Sequence, residues 1–143
     1  QKNFFMKSLI PAVILLILFS SCKKDKTSDE TANDLINPNA AILLKGNFSG
    51  ANNYTVSGMV EVVNDNNQKK LVFKNFSSSN GPDLRVYLST STGASTIISL
   101  GNLKSTNGQQ VYDVSGMPDF AQYKFALIWC QQFSVLFGSA ELK

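Results

Sequence analysis

Of the side chains able to do redox or covalent chemistry, this sequence offers two cysteines, Cys22 and Cys130, and no histidine at all. Cys130 lies in the run Leu127-Ile128-Trp129-Cys130-Gln131-Gln132-Phe133. A thiolate can serve as nucleophile, metal ligand or redox group. Each role needs company. Cysteine catalysis usually draws on a neighbouring base, most often His, and none exists here. A structural zinc site takes four N or S ligands and an iron–sulfur cluster takes several thiolates, so no metal site is expected. Three redox roles remain for Cys130: haem ligand, with Met59, Met117 or a tyrosine as second ligand; sulfenic acid; or mixed disulfide with a redox partner protein. Such roles require exposure and a stabilised thiolate. The nearest cation on the strand is Lys124, six residues back and roughly 20 Å away. Trp129 and Phe133 are the supporting residues of this candidate. The same thiol equally fits plain packing, because free cysteine is among the most buried residue types, and Trp129 fits packing as well as electron relay. No acid–base pair stands out elsewhere, which argues for an accessory redox or binding module rather than an enzyme.

Cys22 sits in a different context. Met6-Lys7-Ser8 is followed by an apolar run from Leu9 to Phe19 and then Ser20-Ser21-Cys22. A basic head, a short apolar core and small residues at a cut site make a secretory signal. Eleven residues of helix rise about 16 Å against a hydrocarbon core of about 30 Å, and Pro11 interrupts them, so the run is too short to span. The stretch Leu18-Phe19-Ser20-Ser21-Cys22 resembles a bacterial lipobox. That resemblance makes residues 1–21 a removed signal peptide and Cys22 the lipidated first residue. An ordinary signal peptide with an incidental cysteine is the alternative. Acyl chains anchor firmly, at about 0.8 kcal/mol per buried CH₂. Lys23-Lys24-Asp25 also resembles the charged tags that send some lipoproteins to the cell surface. The expected location is the outer membrane, on its periplasmic or cell-surface side.

Charge says little about partners. The full chain carries 13 basic and 10 acidic residues, net +3. Removing Lys2 and Lys7 with the signal leaves eleven basic against ten acidic, net +1. No basic patch survives of the kind nucleic-acid binding needs.

Residues 22–39 are polar, charged with both signs and poor in apolar side chains, and so read as a flexible tether. Its 17 residues after the cysteine would span roughly 20–25 Å. Residues 40–143 make one domain. Its apolar residues alternate with period two: Val60 and Val62; Leu71 and Phe73; Leu84, Val86 and Leu88 opposite Arg85, Tyr87 and Ser89; Ile98 and Leu100; Gln110 to Val114. Turn-forming clusters separate these runs, at Asn64–Asn67, Ser77–Asp83, Ser91–Gly93, Ser105–Gly108 and Ser115–Asp119. No helical stripe of adequate length appears. The pattern predicts an all-β fold, a single antiparallel sandwich or barrel-like domain of seven to eight strands.

The last two strands, Tyr123–Cys130 and Phe133–Leu142, are apolar on both faces. They are therefore expected to be central in a sheet or covered. A two-residue Gln131-Gln132 turn would set Cys130 opposite Phe133, Ile128 opposite Val135 and Ala126 opposite Phe137. Gln-Gln suits a tight turn poorly, and a wider loop would change what Cys130 meets. Gly138 would let Phe125 lie across it.

Several motifs in order carry a family resemblance: Gly81-Pro82-Asp83-Leu84-Arg85-Val86-Tyr87-Leu88, then Leu100-Gly101-Asn102-Leu103-Lys104, Gly108-Gln109-Gln110-Val111-Tyr112, Ile128-Trp129-Cys130, Phe133, and Phe137-Gly138-Ser139-Ala140-Glu141-Leu142. From about Lys45 to Leu142 the chain resembles the DM-thirteen domain. The resemblance implies a small β-rich extracytoplasmic module for electron transfer, with a C-terminal cysteine that maps onto Cys130 and acts bare or as ligand to a prosthetic group. Two functions stay open. One is a lipid-anchored envelope protein whose redox module centres on Cys130. The other is a non-catalytic surface module that binds protein or glycan, with Cys130 merely packed.

Overall fold

A computed structural model describes residues 27–143. The expected signal segment, residues 1–21, and Cys22 lie outside the described residues. Ten strands form two five-stranded sheets. They are β1 (Ser28–Asn33), β2 (Ala41–Asn47), β3 (Ser49–Gly50), β4 (Val56–Asp65), β5 (Gln68–Ser78), β6 (Leu84–Ser89), β7 (Ile97–Asn102), β8 (Ser105–Val114), β9 (Phe125–Cys130) and β10 (Val135–Glu141). One sheet runs β1-β8-β5-β4-β2 and the other β3-β10-β9-β6-β7. The all-β sandwich is as the alternation predicts. Two strands beyond the expected seven to eight are β1 and the two-residue β3, both too polar or too short to register as alternation.

The alternation builds the core directly. Val60, Val62, Leu71 and Phe73 from one sheet meet Leu84, Val86, Leu88, Ala126 and Ile128 from the other, all buried. Each such side chain contributes roughly 1.5–3 kcal/mol of burial. Phe48, Phe73 and Phe76 stack edge-on or tilted, with centroids 4.9–5.4 Å apart. The β4–β5 hairpin turns at Asn66-Asn67, with φ of 52° and 65°. Asparagine tolerates that left-handed backbone, which a tight hairpin needs.

The polar stretch before Ala40 behaves differently from the expected tether. Ser28–Asn33 pairs with β8, and the pairing is parallel, the one parallel pair among the described strands. The strand is exposed nearly throughout. Composition registers only the missing apolar burial; β1 is held by hydrogen bonds instead. Asp29 accepts from Asn80 Nδ2 and Thr106 Oγ1. Ser105 Oγ donates to the Glu30 carbonyl. Asp34, just past the strand, accepts from the Val111 N–H at 2.9 Å and from Lys104 Nζ. After it, Ile36 and Ala40 line a crevice with Val63, Val72 and Val111 on the outer side of the first sheet.

Candidate functional site

Cys130 closes β9, the central strand of the second sheet, between β6 and β10. Central position explains why both faces of β9 are apolar, as expected. Inner-face Ala126, Ile128 and Cys130 belong to the core cluster, while Leu127 and Trp129 point outward. Cys130 is fully buried and unpaired.

The hairpin beyond it corrects the two-residue turn. Cys130 pairs with Val135, Trp129 with Leu136, Ile128 with Gly138 and Ala126 with Ala140. The loop is therefore four residues, Gln131 to Ser134, and Ser134 takes φ 50° to close it. Gln-Gln cannot supply the positive φ of a tight turn, so the chain widens. Two consequences follow. Phe133 leaves the sheet and stands 61% exposed instead of sharing the face of Cys130. The register slips once more, with Phe137 as the extra residue of a bulge between Leu136 and Gly138. Gly138 therefore makes room for Val56 and the Ser49 carbonyl, each within 2.7 Å of where a Cβ would stand, and not for Phe125.

Across β6, Cys130 pairs with Leu84. Its Sγ donates to the Pro82 carbonyl at 3.1 Å, and the Gln131 N–H donates to the Asp83 carbonyl at 3.0 Å. The Gly81-Pro82-Asp83 turn thus lies over the thiol end of β9. Gly81 is needed there, since a Cβ would sit 2.7 Å from the Phe137 ring. Tyr54 stacks on that same Phe137 ring, with centroids 3.7 Å apart. Asp83 takes φ 54° and accepts from Arg85 Nε at 2.5 Å.

Trp129 is half-buried on the outer face, cross-strand from Arg85 and Leu136. Beside it, Tyr87 OH donates to Gln131 Oε1 at 2.5 Å, and burial pushes the Tyr87 phenol above its ordinary pKa. So Trp129 and Cys130, neighbours in sequence, face opposite sides of the sheet, and Phe133 stands in the loop beyond the paired residues. The three expected site residues share one hairpin but not one surface.

Haem at Cys130 would need the sulfur to open onto a cavity. The sulfur is fully buried and spends its proton on Pro82, and none of the described cavities is lined by Cys130. Met59 lies half-exposed on β4, and Met117 is 82% exposed in the β8–β9 loop at the opposite end of the sandwich from Cys130. The residues do not fit a haem. Lys124 precedes β9 at that opposite end, over the Phe125 ring at 5.4 Å and 3.8 Å from Glu141, too remote to stabilise a thiolate.

A second buried polar group escaped the sequence reading. Gln110, fully buried on β8, donates through Nε2 to the Ser105 carbonyl at 2.8 Å and accepts from Tyr112 OH at 2.5 Å. The Lys104 N–H in turn donates to the Tyr112 oxygen at 3.1 Å. Burial drives the Tyr112 phenol far above its ordinary pKa. Alternation over Gln110 to Val114 leaves open which set faces inward, and an amide at Gln110 reads as a surface group until its buried partners are seen.

With this geometry in place, comparison with known families is decisive for the fold's lineage. A family profile described as electron transfer DM13 matches residues 47–142. The chain belongs to the DM13 family. The DM13 region takes in every strand from β3 onward and the whole Cys130 hairpin, while β1 and nearly all of β2 precede it. No curated protein and no solved structure matched the chain.

Proposed function

We propose that this DM13 protein is an electron-transfer accessory of the cell envelope, held at a membrane by lipid on Cys22, with Cys130 as its redox group. The family match supports the electron-transfer part. One observation supports the choice of Cys130: its sulfur is tied to the carbonyl of a single surface turn, Gly81-Pro82-Asp83. Opening that turn would break the hydrogen bonds from Cys130 to Pro82 and from Gln131 to Asp83 and bare the thiol while leaving the β6–β9–β10 ladders in place. The reaction this suits is thiol–disulfide exchange. Cys130 loses its proton and its sulfur attacks a partner's disulfide. A mixed disulfide forms, and the partner's other sulfur leaves with the electron pair and takes up a proton.

Complete burial favours a second reading, in which Cys130 is a packed hydrophobe and the domain is a non-catalytic module binding protein or glycan. One experiment separates the two. The native protein is equilibrated with glutathione mixtures of graded potential and weighed by mass spectrometry. Under the redox reading the native chain gains one glutathione, and Cys130→Ser gains none. A native chain that stays unmodified at every potential, while the urea-unfolded chain reacts, overturns it.

A further inference from the structure

We infer that the end of the sandwich carrying Cys130 is a membrane-contact surface, with Phe133 seated in a phospholipid bilayer. The inference rests on the lipid-anchor reading of Cys22. Its geometric basis is where the described chain begins. Thr27 and Ser28 line one cavity with Asp83, Leu84, Asn102, Leu103 and Lys104. Asp83 accepts from Gln131, and Leu84 pairs with Cys130. The chain therefore enters the fold at the Cys130 end.

Only four residues, Lys23 to Lys26, separate Cys22 from Thr27. Whatever conformation they take, five residue steps reach at most about 18 Å. The ten-residue strand β8, by comparison, is about 33 Å long. With β1 docked, the leash is shorter than the sandwich. It holds the Cys130 end near the lipid and keeps the opposite loops, which include Met117, from reaching it end-on. The seventeen-residue tether read from composition would have allowed any orientation.

The surface at this end suits lipid. Phe133 stands exposed at the tip of the β9–β10 loop. Trp129 and Leu136 lie half-buried at the base of the same hairpin, cross-strand from one another. A half-buried Trp on the hairpin and an exposed Phe in its loop put at this end the two aromatic types that settle at the headgroup level. Two charge pairs nearby, Arg85 with Asp83 and Lys104 with Asp34, are already matched and meet the headgroups with their partners in place. The contact would bring the turn over Cys130 to the bilayer side of the molecule.

Trp129 is the only tryptophan, so its fluorescence reports on this end alone. The full-length acylated protein is incorporated into phosphatidylcholine vesicles whose acyl chains carry bromine near the headgroup, and the vesicles are floated. The expected result is flotation with loss of about a third or more of the Trp129 emission, as for an indole at headgroup depth. Phe133→Asp should float equally and recover most of that emission. Flotation with unquenched Trp129 overturns the contact surface while leaving the anchor intact. Protein that fails to float, with an unmodified Cys22 peptide by mass, overturns the anchor reading and this inference with it.

Discussion

β1 and β9 are both six-residue strands, SDETAN and FALIWC, and they are held in place by opposite means. β9 is sandwiched between two strands and buries four of its six side chains. β1 buries none, sits at a sheet edge, and is fixed by carboxylates and hydroxyls that reach β8 and the Asn80 turn. The difference teaches that the domain has a packed body and a polar latch. The body sets stability. The latch sets where the chain enters the fold, and so the distance to any anchor. Packing is insensitive to pH and salt, whereas paired charges are weakened by both.

The contrast can be broken first in the body. Phe73→Ala removes a fully buried ring that touches Phe48, Phe76 and Tyr112. A loss of about 3–5 kcal/mol is expected, read as a lower urea midpoint. Gly138→Ala comes next. Its Cβ would meet Val56 and the Ser49 carbonyl, and the backbone oxygen cannot swing away, so about 1–3 kcal/mol is expected from the same measurement. Cys130→Ala should cost about 1 kcal/mol, for a small cavity and an orphaned Pro82 carbonyl close to the surface. Cys130→Ser keeps that hydrogen bond and should not be worse than Cys130→Ala by more than about 1 kcal/mol.

Changes in the latch should leave the urea midpoint nearly unmoved and show locally. Asp34→Asn loses the charge partner of Lys104 and weakens the bond from the Val111 N–H. Exchange of β1 and Val111 amides should speed up a few-fold, since exposed pairs contribute little, with core amides unchanged. Uniform acceleration across both strands would erase the distinction. Acid should do the same work as the substitution. Partial burial pushes the Asp34 carboxyl up, but the Lys104 and Val111 hydrogen bonds outweigh it and hold it below the usual carboxylate range. A carboxylate depressed in the folded state stabilises above its unfolded pKa and loses that contribution as pH falls through the folded value. Below about pH 4, β1 amides should exchange faster before core amides do.

Much of the fold was legible because period-two alternation and buried faces are the same fact seen twice. Val60, Val62, Leu71, Phe73, Leu84, Val86 and Leu88 all point where alternation put them. The turn at Asn66-Asn67 was legible because asparagine is one of few residues at ease with positive φ. The hairpin after Cys130 was legible in kind but not in register. Nothing local separates a two-residue from a four-residue loop when the turn residues are Gln-Gln, and the widened loop is what sends Phe133 into solvent. β1 was illegible, because its partners Asn80, Thr106, Ser105 and Lys104 lie fifty or more residues away.

The sequence by itself determined the strand-and-turn pattern, the inward faces, the absence of histidine and the position of the one thiol in the domain. Side-chain types and their spacing act locally, through sterics and burial, and they survive any rearrangement of distant segments. Tertiary structure alone decided that the loop after Cys130 widens and leaves Phe133 exposed, that the thiol is closed under the Pro82 turn, and that the polar N-terminal stretch docks as a parallel strand. Those outcomes depend on which surfaces meet across the sandwich, and long-range hydrogen bonds leave no periodic trace along the chain.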